Sequence, residues 1–264
     1  MLEIRNVTKV FNKGSIDEKV ALNGLSLTLN DGDFVTVIGG NGAGKSTMLN
    51  AICGTWLPDS GNIILDGLDV TGLPEHKRAK YLGRVYQDPM MGTAANMQIE
   101  ENLALAARRG KRRTLRPMIT KDERETYRQL LAELELGLES RLSAKVGTLS
   151  GGQRQALTLL MATMQSPKLL LLDEHTAALD PKTAARVMAL TEKIVNETKL
   201  TTLMITHNMR DAIQYGNRLI MLHDGRVILD ISGEEKQKLT VAELLEMFSK
   251  ASGNEFSDDR AILA

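Results

Sequence analysis

The nine residues Gly39-Gly-Asn-Gly-Ala-Gly-Lys-Ser-Thr47 are of types and spacing suited to holding a chain of phosphates. The glycines let successive backbone N–H groups turn inward around phosphate oxygens. The helix that such a loop opens adds roughly half a positive charge at its N-terminus. Lys45 is placed to reach the β- and γ-phosphates of a nucleotide, and Ser46 to ligate Mg²⁺. The loop has the flanks it needs, with a short apolar strand, Asp33 to Gly39, before it and a helix from about Gly44 after it.

Two further segments add to this chemistry. Leu169-Leu-Leu-Leu-Asp173-Glu174 ends a buried strand on two acids. A carboxylate there is costly unless it holds a cation, directly or through water, which makes Asp173 the Mg²⁺ partner. Glu174, one place on, suits a general base that polarises an attacking water. The second segment is Leu149-Ser-Gly-Gly-Gln-Arg-Gln155. Ser150 and Gln153 have capping-box spacing, so part of it simply starts a helix. Gly151 and Gly152 are not needed for that start and disfavour it by about 1 kcal/mol each. Glycine fits there if another backbone or a phosphate must come close. One chain has little use for two phosphate-facing surfaces on one triphosphate, so the pair of motifs implies a working unit of two chains.

The elements that must position these residues follow from patterning. Strand-like runs precede helix-like runs repeatedly, the pattern of a mainly parallel, covered α/β sheet. Met1 to Val10 alternates apolar and polar as a strand does and has no apolar core of a signal peptide. Lys168 to Asp173 and Thr201 to Thr206 are further strands. Residues 87–167 are rich in Ala, Leu, Glu and Arg and read as a helical subdomain inserted into a core of 1–86 and 168–264. Tyr127, Leu130, Leu131, Leu134 and Leu138 share one helix face there. Thr120 with Glu123, Thr240 with Glu243, and Asp180-Pro181 mark helix starts. Residues 252–264 read as a loosely held tail. With 33 basic and 33 acidic residues and 3% aromatics, the chain has neither the charge nor the stacking surface expected of a nucleic-acid binder. The single cysteine, Cys53, excludes an internal disulfide and reads as a small buried residue. No apolar run approaches a membrane span.

Taken in order, these motifs resemble the ATP-binding subunits of ABC transporters, in particular bacterial importer ATPases that work with solute-binding proteins. The resemblance runs nearly end to end. Gly39 to Thr47 resembles the Walker A loop, which puts Gly39, Asn41, Gly42, Ala43, Gly44, Lys45, Ser46 and Thr47 on ATP. Phe11 resembles the aromatic that stacks on adenine. Gln87, in Val-Tyr-Gln-Asp-Pro, resembles the Q-loop glutamine that senses Mg²⁺ and water and contacts the membrane subunits. Leu149 to Gln153 is similar to the family signature, Leu169 to Asp173 to Walker B with Glu174 as the catalytic glutamate, and Ala178-Leu179-Asp180 to the D-loop. His207, in Ile-Thr-His-Asn, resembles the switch histidine at the γ-phosphate, although a histidine after a strand is more often only a helix-start residue, with Asn208 as its cap. The resemblance implies a P-loop NTPase fold with an N-terminal antiparallel β part and an inserted helical subdomain. It implies ATP and Mg²⁺ as cofactors, with Ser46, Gln87 and Asp173 around the metal. It also implies a head-to-tail dimer in which Ser150, Gly151, Gly152 and Gln153 act on the partner's ATP.

The expected function is ATP hydrolysis that drives solute transport through separate integral membrane permease subunits, at the cytoplasmic face of the cell membrane. Import, of an amino acid, with an extracytoplasmic solute-binding protein, is the favoured direction. The alternatives are an exporter or lipoprotein-release ATPase, and a soluble ATPase acting on DNA or ribosomes. Nucleic acid is not expected as a partner. Two places depart from the family pattern. His175 stands where proline is usual, which reads first as a subfamily choice without catalytic role and second as a residue that tunes Glu174 or senses pH, and the loop from Asn12 to Lys19 is longer and more polar than in many relatives. The basic run Arg108 to Arg116 reads first as a solvated loop and second as a lipid or partner contact.

Overall fold

A computed structural model describes residues 1–111 and 117–251. The chain divides into two compact units, Met1–Arg78 with Lys199–Ala264, and Ala79–Thr198. Positions 87 and 167, where composition changes, both fall inside the second unit. The expected tail from 252 and positions 112–116 of the basic run lie outside the described residues.

The first unit opens with β1 (Leu2–Phe11), β2 (Lys19–Leu29), β3 (Phe34–Ile38), α1 (Lys45–Cys53), β4 (Ser60–Leu65), β5 (Leu68–Asp69) and α2 (Glu75–Arg78). The second unit contains β6 (Leu82–Val85), α3 (Ile99–Ala107), α4 (Lys121–Ala132), α5 (Gly151–Thr163), β7 (Leu169–Asp173) and α6 (Pro181–Thr198). The chain then returns to the first unit with β8 (Thr202–Ile205), α7 (Met209–Gln214), β9 (Arg218–His223), β10 (Arg226–Ser232), α8 (Gly233–Lys238) and α9 (Val241–Ala251).

Two sheets build the first unit. One is antiparallel, in the order β2-β1-β4-β5. The alternation in β1 buries Leu2, Ile4 and Val7 against it. In the other, β3 lies between β8 and β9, parallel to both, and β10 runs antiparallel on β9. All five residues of β3 are buried, as a parallel strand covered on both faces requires. Met209, Ala212, Leu239, Leu244 and Phe248 pack with Ile38, Leu219 and Met221 into one core. Cys53 is buried at the end of α1, as expected. No helix among the described residues is long and apolar enough to cross a membrane.

In the second unit β6 and β7 pair in parallel, with Leu82 opposite Leu169 and Val85 opposite Leu172. The four leucines of β7 are fully buried. Tyr127, Leu131, Leu134 and Leu138 all enter the core formed with Ile99, Leu103 and Leu157. The helix that carries the first two ends at Ala132, so Leu134 and Leu138 reach that core from a turn and a short 3-10 segment. Thr120 and Glu123 form the expected reciprocal cap. Asp180 accepts the Thr183 N–H at 3.1 Å, and Pro181 opens α6. Buried Glu100 holds Arg124 through two oxygens at 2.6 and 2.8 Å, joining α3 to α4. Within the basic run, Arg108 pairs with Glu123 and Arg109 donates to the Ala162 carbonyl at 2.9 Å, so these two cations serve their own unit.

One buried cation supports the phosphate-loop helix. The side chain of Arg78 is fully buried. It donates to the carbonyls of Ala51 at 2.7 Å and Ile52 at 2.9 Å in the last turn of α1, and to Leu73 and Thr71 at 2.7 and 2.9 Å. Helix C-termini leave their last carbonyls without intrahelical donors, and a cation there also meets the negative end of the helix dipole. Arg78→Met should therefore lower unfolding free energy by about 3 kcal/mol, because several buried carbonyls lose their donor together. Thermal denaturation should show a midpoint roughly 6–10 °C lower. An unchanged midpoint would mean that water replaces the guanidinium.

Candidate active site

The first unit brings three predicted features to one edge of its parallel sheet. β3 runs directly into Gly39, and α1 begins at Lys45. Val37 pairs with Ile205, so β8 ends level with β3, and the Thr206 N–H donates to the Val37 carbonyl at 3.1 Å. His207 thus leaves the sheet beside the loop. The turn that carries it is fixed locally: Asn208 N–H donates to Thr206 Oγ1, and Asn208 Oδ1 caps α7 by accepting from Arg210 and Asp211. The helix-cap role read for Asn208 is present, and His207 sits immediately before it.

The loop is built by close backbone approach. Gly39, Gly42 and Gly44 have φ of +152°, +80° and +102°. A Cβ at Gly39 would lie 2.3 Å from the Leu222 carbonyl oxygen, and one at Gly44 would lie 2.6 Å from that of Ala21. No other residue fits at either place. Lys45 is buried, and its ammonium donates to the Gly39 and Gly40 carbonyls at 2.6 and 3.0 Å. Asn41 and Ser46 are exposed, Ala43 is buried and Thr47 is half-buried. Two contacts here join residues distant in the chain. Phe11 meets the chain's single tryptophan, Trp56, edge to face with ring centroids 5.3 Å apart. Lys19, opposite Phe11 across β1 and β2, brings its ammonium to 3.1 Å from where a Gly42 Cβ would stand. The polar stretch from Asn12 to Lys19 therefore ends at the loop.

The second unit holds the other predicted residues. Because β6 and β7 are in parallel register up to Val85 and Leu172, Gln87 leaves one strand as Asp173 and Glu174 end the other. Asp173 Oδ2 pairs with Arg84 Nη2 at 3.2 Å, and the Arg84 guanidinium lies 4.5 Å over the Tyr86 ring. Sequence spacing does not suggest Arg84, which sits 89 residues away. Glu174 has φ of +48°, a left-handed conformation that costs a non-glycine residue about 1 kcal/mol. His175 is buried, and burial pushes its imidazole down to about 4. It is therefore neutral near pH 7, which removes the pH-sensing reading.

The signature segment has the anticipated helix start. Ser150 Oγ accepts the Gln153 N–H at 3.3 Å, and Gln153 Oε1 accepts the Ser150 N–H at 3.2 Å, a complete capping box. The two glycines differ from each other. A Cβ at Gly152 would lie 2.1 Å from Thr183 Cγ2, so a larger residue there requires the Thr183 side chain to move. Gly151 is exposed, and its Cβ would meet Leu179 Cδ2 at 3.3 Å. The signature thereby abuts the Ala178–Asp180 segment. Arg154 folds back on the carbonyls of Gly147 and Leu149, and buried Gln155 donates to the Tyr86 carbonyl at 3.1 Å, one residue before Gln87.

Comparison with known proteins places this arrangement. The family model described as ABC transporter matches residues 22–177. A tyrosine transport ATP-binding protein of Clostridioides difficile is 49% identical over 251 residues, which cover 95% of this chain and 100% of that protein. The methionine import ATP-binding protein MetN of Corynebacterium efficiens is 34% identical over 86% of this chain, which spans 61% of that longer protein. Among solved structures, a dimeric ATP-binding cassette in a post-hydrolysis state with ADP and Pi is 30% identical, with a TM-score of 0.75 over 88% of this chain and 98% of its own. The ADP conformation of another ABC transporter cassette is 27% identical, with a TM-score of 0.75 over 94% of this chain. A phosphate loop with positive-φ glycines, a strand-end acid pair and a capped signature helix thus occur in a chain similar to these ATP-binding proteins and ATP-binding cassettes. The chain belongs to the ABC transporter family, as an ATP-binding and ATP-hydrolysing subunit with the P-loop fold of its cassettes.

Proposed function

We propose that this ATPase powers import of an amino acid, of the aromatic class, through separate integral membrane permease subunits. It would sit at the cytoplasmic face of the cell membrane and receive cargo captured by an extracytoplasmic solute-binding protein. The observation that carries this reading is the 49% identity that extends over the whole length of a tyrosine transport ATP-binding protein. The names of the more distant relatives, methionine import and spermidine/putrescine import ATP-binding proteins, support the direction.

The residues divide the work as follows. The glycine loop and Lys45 hold the phosphates, and Phe11 stacks on adenine. Ser46, Asp173 and Gln87 are hard oxygen donors of the kind Mg²⁺ takes. Held by these residues, Mg²⁺ would supply positive charge to offset that of the phosphates. Glu174 accepts a proton from water as its oxygen attacks the γ-phosphorus. The bond from that phosphorus to the bridging oxygen breaks, and ADP and phosphate leave. His207 contacts the γ-phosphate. Ser150, Gly151, Gly152 and Gln153 act on the ATP of a second, head-to-tail copy, with Asp180 at the same junction. The dimeric cassette among the structural neighbours supports that assembly.

Three outcomes test this reading. Glu174→Gln should hydrolyse ATP at least about a hundredfold more slowly, the scale of a lost general base, and should accumulate as an ATP-bound dimer in size-exclusion chromatography. Turnover at the wild-type rate would remove Glu174 as the base. Ser150→Arg should abolish turnover while isolated chains still bind ATP; weakened binding by the monomer would count against a site shared between copies. Titration with ATP should change the emission of Trp56, and Phe11→Ala should weaken the apparent affinity by about tenfold, the scale of one base stacked on an aromatic ring. Unchanged affinity would leave Phe11 only as packing for Trp56.

A further inference from the structure

We propose that His175 is a positioning residue: tied through Thr191 to the body of α6, it fixes the backbone turn that aims Glu174. The proposal rests on the reading of Glu174 as the base and adds what holds it in place.

The geometry begins with the turn. Glu174 follows β7 in a left-handed conformation, φ +48°, which is uncommon for a residue other than glycine and costs about 1 kcal/mol. Its carbonyl accepts the Ala177 N–H at 2.9 Å, which closes a turn with His175 and Thr176 at the two central positions. Leu179 N–H to the Thr176 carbonyl at 3.1 Å continues the path toward α6. One of the central side chains points inward. His175 is 2% exposed, and its Nε2 lies 3.1 Å from Thr191 Oγ1, a hydroxyl in the eleventh position of α6 whose residue is fully buried.

Counting protons fixes the sense of this bond. A threonine hydroxyl carries one proton. Thr191 donates it to the Val187 carbonyl one turn back, at 2.8 Å. Oγ1 is left as an acceptor toward His175, so the imidazole carries its proton on Nε2. The result is a chain of donors, His175 to Thr191 to the α6 backbone. It closes the segment 174–180 onto its own helix across 16 residues.

The Thr191 hydroxyl bonds to His175 and to the Val187 carbonyl, neither of them assigned to the nucleotide, which makes it the place to test the tie. Thr191→Val keeps the shape and removes the acceptor; Thr191→Ser keeps the hydroxyl. With the full-length chain and its ATPase assay, Thr191→Val should lower kcat about five- to tenfold, the equivalent of one buried hydrogen bond. KM for ATP should change less than twofold, and Thr191→Ser should retain the wild-type kcat. His175→Ala should lower kcat at least as far, and the double variant His175→Ala with Thr191→Val should fall no further than His175→Ala alone. Thermal melts confirm that each variant is folded at the assay temperature. The proposal is overturned if Thr191→Val has the wild-type kcat, if Thr191→Ser falls with it, if KM rises in step with the loss, or if the two losses multiply. Glu174→Gln separates the levels. If it is inactive while Thr191→Val is normal, only the tie fails; if it is active, the assignment of the base fails.

Discussion

The phosphate loop is clamped between two strand carbonyls, and that closeness governs much of the first unit. The Leu222 oxygen stands against Gly39 and the Ala21 oxygen against Gly44, each nearer than any side chain permits. One carbonyl comes from the parallel sheet and the other from the antiparallel one. The loop is thus a seam at which two sheets meet, and its glycines are required by the fold before any nucleotide is considered. Backbone N–H groups held this way are already oriented, so a bound polyanion need not reorganise them.

Support for the loop extends to its far end. Arg78 closes α1 by taking carbonyls that water would otherwise have to reach. The helix that delivers its N-terminal charge to the loop is therefore anchored at its C-terminus by a buried cation. In the second unit the comparable organising contact is the parallel register of β6 and β7, which sets Gln87, Asp173 and Glu174 off from neighbouring strand ends.

Much of this was legible in the sequence because it is written locally. Phe34–Ile38, Leu169–Asp173 and Thr202–Ile205 are short apolar runs within a residue or two of where patterning puts them. The caps at Thr120, Ser150, Asp180 and Asn208 are likewise local, since donor and acceptor lie within three residues. What escaped depends on chain-distant partners. Arg84 on Asp173, Arg78 on α1, Trp56 against Phe11 and Lys19 near Gly42 each join residues between 23 and 89 positions apart, and no periodicity announces such pairs. Gly152 adds a packing neighbour of the same distant kind, the Thr183 methyl on α6 that lies where its Cβ would stand.

The capping box at the start of α5 has a further consequence for polarity. Ser150 Oγ receives the Gln153 amide on a lone pair, which leaves its single proton to point away from the helix. Gly151 and Gly152 occupy the first positions of that helix, where backbone amides have no carbonyl of their own. Helix start and exposed serine thus present hydrogens on the same side. Folding makes this surface one-signed: it greets lone pairs and turns away protons.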